Sequence, residues 1–264
     1  MPSGGDMKNA AKERLTANEL AIGIGVRHVR GPEIAPIMKS AGFDWLFIDL
    51  EHGATSVENA ASICVSALST GIAPIVRVPQ GDLNLGTRCL DAGAQGIVMP
   101  HVDTPEQAKK MVEAFRFNPI GKRSIAGNYA HFNFQSKPAK ETTQQLNDNT
   151  LLVAMMETPK AIENVDMIAA TPGIDALLMG TNDLCLELGI PGEIDHPKVT
   201  ECIETMVAAC VKHGKWAGLG GVYDQTLLSK YIKHGVKMIL AGNDVTLLLS
   251  AATDQARFVR QISN

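Results

Sequence analysis

Short apolar runs recur along the chain, and each gives way to a longer stretch in which apolar residues return every three or four positions. The runs are Ala21–Val26, Trp45–Asp49, Ala73–Val78, Gly96–Pro100, Leu151–Met156, Ala176–Gly180, Trp216–Gly220 and Met238–Ala241. Runs this short, with little strict alternation, predict strands buried on both faces. The stretches between them predict helices over Pro32–Ser40, Ser56–Thr70, Asp82–Ala92, Thr104–Phe115, Ala139–Asn149, Pro159–Thr171, Pro197–His213 and Asp224–His234. Thr181–Leu188 reads as a short helical turn, and Asp244–Val259 as the helix that closes the chain. Thr104-Pro105-Glu106 and Pro159 supply N-terminal signatures, a hydroxyl cap or a proline in the first turn.

An α/β chain in which eight short strands are each followed by a helix is most economically a single (β/α)8 TIM barrel. A doubly wound open sheet also alternates strand and helix, but the even spacing favours closure. No shift in composition marks a second domain, so the barrel takes residues 21–264 behind a polar leader, 1–20. The connection Arg116 to Pro138 is too long and irregular for a turn and reads as a functional loop.

Composition narrows the classes. Apolar residues at 45% and charged residues at 20% describe an ordinary globule, and a formal charge of −4 offers no basic field for nucleic acid or an anionic membrane. Cys64, Cys89, Cys185, Cys202 and Cys210 are scattered without CxxC pairs, which favours a reducing compartment over a disulfide frame or a structural zinc site. With no apolar leader segment and no long apolar stretch, the expected location is the cytoplasm.

Barrel enzymes draw their sites from the carboxyl ends of the strands. Here those ends carry Arg27 and His28; Asp49, Glu51 and His52; Arg77; His101 and Asp103; Glu157; Asn182 and Asp183; Gly220 and Gly221; Asn243 and Asp244. Thr104, Asp224 and Asp244 precede helices, so capping explains them. Glu157 ends an apolar run, where a carboxylate is costly without a partner. Asp183 stands at the end of the next strand, within reach of the same cation. Two carboxylates with open positions suit a hard octahedral ion such as Mg²⁺ or Mn²⁺, completed by water and substrate oxygens. The competing reading pairs Glu157 with Arg77 and leaves Asp183 as a cap.

By alternation Arg77 points into the barrel mouth, where its planar fork can grip a carboxylate or enolate oxygen, a structural ion pair being the alternative. His52 brings a ring of the type that titrates near neutrality, with Asp49 three residues before it. The glycines after strands seven and eight give only a weak phosphate-site signal. None of the strands offers a Schiff-base lysine, and none of the cysteines sits squarely beside a histidine at a strand end.

Several motifs in register carry a resemblance. Phe43-Asp-Trp-Leu-Phe-Ile-Asp49-Leu-Glu51-His52, Ile75-Val-Arg77-Val78, Leu90-Asp91-Ala-Gly93-Ala-Gln-Gly96-Ile-Val-Met-Pro100, Met156-Glu157-Thr158 and Gly180-Thr-Asn-Asp183-Leu184 resemble the HpcH/HpaI family of class II, metal-dependent pyruvate aldolases. The resemblance implies a carbon–carbon lyase that reversibly cleaves a 4-hydroxy-2-oxo acid to pyruvate and an aldehyde through a metal-bound enolate. Glu157 and Asp183 would hold Mg²⁺, Mn²⁺ or Co²⁺, His52 would act as base, Asp49 as its partner, and Arg77 would stabilise the enolate and the acceptor carbonyl. Thr181, Asn182 and Met155 would line the donor pocket, and Asp91 would approach the base of a neighbouring subunit. The family context implies catabolism of aromatic compounds or sugar acids. It also implies a homohexamer, a trimer of dimers, in which Asp244 to Val259 packs on another chain.

Two departures stand out. Met155 occupies a position that is glutamine in many members, which puts the donor's water network in question. Arg27, His28 and Arg30 follow strand one where small or apolar residues are expected. With Arg123 from the long loop they form an expected cationic edge for an anionic acceptor. Rival readings are an oxaloacetate-type decarboxylase, a malyl- or citramalyl-thioester lyase, and a barrel that binds a small acid without turning it over.

Overall fold

The computed structural model describes residues 7–262, and its strands close into one parallel barrel in chain order. The strands are β1 (Ala21–Val26), β2 (Trp45–Asp49), β3 (Ala73–Arg77), β4 (Gly96–Met99), β5 (Leu151–Met156), β6 (Ala176–Gly180), β7 (Trp216–Gly220) and β8 (Met238–Asn243). The helices are α1 (Ala10–Thr16), α2 (Ile34–Ser40), α3 (Val57–Thr70), α4 (Leu83–Asp91), α5 (Pro105–Phe115), α6 (Ala139–Asn149), α7 (Pro159–Glu163), α8 (Val165–Ala169), α9 (Thr181–Glu187), α10 (Pro197–Lys212), α11 (Gln225–Lys233) and α12 (Asp244–Ile262). The long connection after α5 carries one turn of 3₁₀ helix, Ala130–Phe132. Among the described residues no helix is long and apolar enough to cross a membrane.

Successive strand residues face opposite sides, which splits the core into two shells. Trp45, Phe47, Ile75, Val98, Val153, Met155, Leu178 and Leu240 fill the barrel interior. Ile24, Leu46, Ile48, Val76, Ile97, Leu152 and Met179 face outward to the helices. The inner shell leaves Asp49, Arg77 and Glu157, two residues beyond Phe47, Ile75 and Met155, at its upper rim.

Three details differ from the sequence pattern. Part of the stretch read as a polar leader is helix α1, whose buried Ala11 and Leu15 join the inner shell and stop the base of the barrel. One turn of apolar spacing in a polar segment is too little to register as a helix. The helix expected over Pro159–Thr171 breaks at Asn164, where φ −100° and ψ 3° interrupt the turn and the side-chain amide donates to the Asp103 carbonyl at 2.9 Å. Finally, α12 runs on to Ile262, and of its residues only Asp244 is buried.

Candidate active site

Parallel pairing puts Asp49 in register with Arg77 on adjoining strands. The two lock through a fork: Arg77 Nε donates to Asp49 Oδ1 at 2.9 Å and Arg77 Nη2 to Oδ2 at 2.5 Å. Burial alone would raise the Asp49 carboxyl, but the hydrogen bonds and charge of Arg77, with the amides of His52 and Glu51, outweigh it and hold the group below its ordinary value. Arg77 Nη1 reaches Glu51 Oε2 at 3.2 Å, and the guanidinium lies over the Phe47 ring, 5.1 Å from its centroid. Arg27, at the end of β1, adds its Nε to Asp49 Oδ2 at 3.1 Å.

On the opposite wall, Glu157 is 1% exposed and hydrogen-bonded to Asp183. Desolvation is the largest influence on the Glu157 carboxyl, and the neighbouring Asp183 adds to it, so the group is pushed up to about 8 against the pull of the His101 amide and Arg77. The His101 amide reaches Glu157 Oε1 at 3.3 Å from a backbone with φ 49°, a left-handed conformation unusual outside glycine. Gly180 makes the pocket for this carboxylate: a Cβ there would lie 2.6 Å from Glu157 Oε2.

These groups line one cavity of about 370 Å³, bounded by Arg27, Phe47, His52, Arg77, Met155, Glu157, Thr181, Asn182, Asp183, Tyr223, Leu240 and Asn243 among others. Small-molecule sites commonly have this scale, an apolar floor with a few converging polar groups. The buried Met155 thioether belongs to that floor. Thr181 is buried and its hydroxyl donates to the Gly220 carbonyl at 3.0 Å, which leaves Asn182 as the exposed polar side chain on that wall.

The fit to a divalent ion rests on the donor set. A buried carboxyl that keeps its proton beside a second, partly exposed carboxylate is an arrangement a hard cation can take over once that proton leaves. Among the described residues no group of three or more His, Cys, Asp or Glu side chains converges on one point, so Glu157 and Asp183 would leave several coordination positions to water and substrate.

Several expected placements change. The imidazole of His52 meets Glu51 Oε2, 3.7 Å from Nε2, whereas Asp49 receives only the His52 backbone amide, at 3.1 Å. Asp49 looks across the sheet to Arg77 because its side chain follows the strand's inward face, a direction that sequence spacing alone does not reveal. Arg123 lies outside the cavity: its Nη2 pairs with Asp91 Oδ1 at 2.7 Å, and its guanidinium stacks on Phe117 and Tyr129. Asp91 ends α4, the end that leads into the start of β4, so the pair sits at the opposite end of the barrel from this chain's own mouth. His28 is exposed and off the cavity wall, and of that cationic edge Arg27 alone lines it.

Asn243, named among the strand-end residues, lines the cavity, whereas Phe47 and Tyr223 are cavity residues that sequence reasoning passed over. Alternation along β2 would have placed Phe47, two residues before Asp49, on the same inward face. Tyr223 lies on a loop, whose direction no periodicity encodes.

Comparison with known proteins places the chain in a family. A family model described as HpcH/HpaI aldolase/citrate lyase matches residues 29–251. A 4-hydroxy-4-methyl-2-oxoglutarate aldolase of Hapsidospora irregularis is 34% identical over 97% of this chain and 96% of its own. A hydroxypyruvate/pyruvate aldolase of Deinococcus radiodurans is 35% identical over 93% of this chain and 88% of its own. The crystal structure of an HpcH/HpaI aldolase from Desulfitobacterium hafniense superposes with a TM-score of 0.89 at 30% identity, covering 94% of this chain and 96% of that one. With the barrel, the strand-end motifs and the full-length matches in agreement, the chain belongs to the HpcH/HpaI aldolase/citrate lyase family.

Proposed function

We propose that the protein is a divalent-metal-dependent aldolase that reversibly cleaves a 4-hydroxy-2-oxo acid to pyruvate, or a pyruvate-like 2-oxo acid, and a carbonyl acceptor. The observation that carries this reading is the placement of the Glu157–Asp183 carboxylate pair in one cavity with Arg77 and His52. The relatives named as oxo-acid aldolases support the same reaction class.

Glu157 and Asp183 are the residues that would hold Mg²⁺, Mn²⁺ or Co²⁺, and the ion would supply Lewis-acid polarisation of the donor's keto group. His52 is the group in the cavity suited to take a proton from C3 of the donor, with Glu51 Oε2 3.7 Å from its Nε2. Arg77 contributes fixed positive charge toward the oxygen that becomes anionic. Of the five N–H donors of a guanidinium, two go to Asp49 and a third faces Glu51, which leaves part of the fork for substrate. Asp49 holds that fork in place. The Met155 floor excludes water from the donor side.

Arg27 supports an acceptor that carries its own carboxylate. Among the described residues Nε is the one nitrogen of its side chain with a hydrogen-bond partner, which leaves the two terminal nitrogens for substrate. A retro-aldol screen over 4-hydroxy-2-oxo acids, with and without chelator, tests the function. Metal-dependent release of pyruvate from dicarboxylic substrates supports it, and cleavage that persists unchanged after complete metal removal overturns it.

Self-association belongs to the same proposal. Helix α12 exposes Leu247, Leu248, Leu249, Phe258, Val259 and Ile262, apolar surface suited to packing on a second copy, consistent with the hexamer, a trimer of dimers, that the resemblance implies. In such an assembly Asp91 would serve a neighbour's site, because it faces away from its own. We place the enzyme in the cytoplasm, with small 2-oxo acids and aldehydes as its partners rather than nucleic acid or membrane.

A further inference from the structure

We propose that Asp244 is a positioning residue whose carboxylate fixes Arg27 at the cavity wall and thereby sets the preference for an anionic acceptor. This inference rests on the acceptor role given to Arg27 above.

Asp244 opens α12, but the capping bond comes from Asn243, whose Oδ1 accepts the Thr246 amide at 3.0 Å, while Asp244 Oδ1 accepts only the neighbouring Val245 amide at 2.9 Å. The other oxygen does something unrelated to that helix. Oδ2 accepts three successive amides of the loop after β1: Arg27 at 3.1 Å, His28 at 2.8 Å and Val29 at 2.8 Å. Asp244 is 6% exposed, so these amides gather around a buried negative charge, where charge-assisted bonds are strong. Capping α12 would need none of them.

The same loop is held from its other side. Gly53, in the turn after β2, approaches so closely that a Cβ would lie 3.0 Å from the Arg27 carbonyl oxygen and 2.5 Å from that of Asp49. The Arg27 main chain is therefore pinned between Asp244 and Gly53, while its Nε rests on Asp49 Oδ2. With backbone and Nε both held, the guanidinium stays at the cavity wall, where its two terminal nitrogens are left for an acceptor. Removing the Asp244 charge frees the backbone anchor but leaves Asp49 bound to Arg77, so the donor side keeps its geometry.

The test compares glyoxylate, a small acceptor with a carboxylate, with glycolaldehyde, an uncharged one, using pyruvate as donor. Loss of bonds to a charged group predicts that Asp244→Ala lowers kcat/KM for glyoxylate by roughly tenfold, mainly through KM, and for glycolaldehyde by less than about twofold. Proton exchange at C3 of pyruvate should stay within about twofold of the parent protein. Arg27→Ala should show the same loss of preference, and the double variant should lose no more than Arg27→Ala alone, because both act through one side chain. Hydrogen exchange at the amides of Arg27, His28 and Val29 should accelerate in either Asp244 variant.

Asp244→Asn keeps the size and one acceptor oxygen, so it carries the test if the alanine variant does not fold, and its loss should run in the same direction. If Arg27→Ala alters the glyoxylate preference but folded Asp244 variants do not, the positioning role is wrong while the acceptor role of Arg27 stands. Multiplicative losses in the double variant also overturn it. If Arg27→Ala itself leaves the preference unchanged, the acceptor reading fails and this inference fails with it.

Discussion

Arg77 and Asp49, in register on β3 and β2, form a two-bond fork inside the barrel mouth, and Asp49 is wholly buried. Burying two charges is repaid only when each is matched, and removing one partner of such a pair commonly costs about 3–5 kcal/mol. Asp49→Ala should therefore destabilise the fold by that order, and thermal unfolding should show a Tm lower by roughly 10 °C. Arg77→Lys should lose the fork and most of the catalytic rate even though the charge is kept. An unchanged Tm in Asp49→Ala would show that Glu51 alone suffices to balance Arg77.

Gly180 gives a second expectation. Its missing Cβ makes the space that Glu157 occupies, so Gly180→Ala should displace that carboxylate without unfolding the barrel. Disturbing the support of a ligand typically costs about 10–100-fold in metal affinity. Calorimetric titration with Mn²⁺ of the purified variant, beside its circular dichroism spectrum, measures this. Unchanged affinity would place the ion elsewhere.

The raised Glu157 carboxyl sets a direction for pH. Its proton must leave before both carboxylates can hold a cation, so Mn²⁺ affinity should climb as pH rises toward about 8 and level off above it. The climb approaches about tenfold per pH unit where a single proton is released. For the metal-free protein the sign is opposite. A folded-state value raised from 4.5 to about 8 favours the fold at low pH and loses that contribution as pH rises through this window. Affinity that falls between pH 6 and 8 would contradict the raised Glu157 carboxyl.

His131 is a separate pH element, far from the cavity. Burial is the main cause that lowers its ring to about 4, assisted by the Arg123 charge and opposed by the Ala94 carbonyl, 2.9 Å from Nε2. A histidine held neutral in the fold contributes stability above its unfolded value of 6.5, lost as pH falls toward about 4. His131→Phe should flatten the dependence of Tm on pH between those limits. A variant as acid-sensitive as the parent would assign that sensitivity to other groups.

The barrel was legible because its strands are buried on both sides. All six residues of β5 are buried, and an apolar run of that kind bounded by helix signals has few other readings. The Glu157–Asp183 pairing was legible for a related reason, since a carboxylate ending such a run needs a partner and the neighbouring strand end supplies one. Loops hid the rest. Arg123 shares a cationic character with Arg27, but the path of the long connection carries it to Asp91 at the other end of the barrel. Asp244 read as a helix cap, a role that Asn243 fills instead, and nothing in its local sequence shows the three amides it gathers from a loop more than 200 residues earlier.

The central claim is that Glu157 and Asp183 hold a divalent ion which makes the C3 protons of pyruvate exchangeable. Proton NMR of the pyruvate methyl signal in deuterated water measures it directly, on protein stripped by chelator and then reloaded with Mg²⁺, Mn²⁺ or Co²⁺. The expected result is exchange that stops on stripping, returns on reloading, and falls by roughly a thousandfold or more in Glu157→Gln and Asp183→Asn. Exchange that continues at the same rate without metal, or that both variants retain in full, would contradict it.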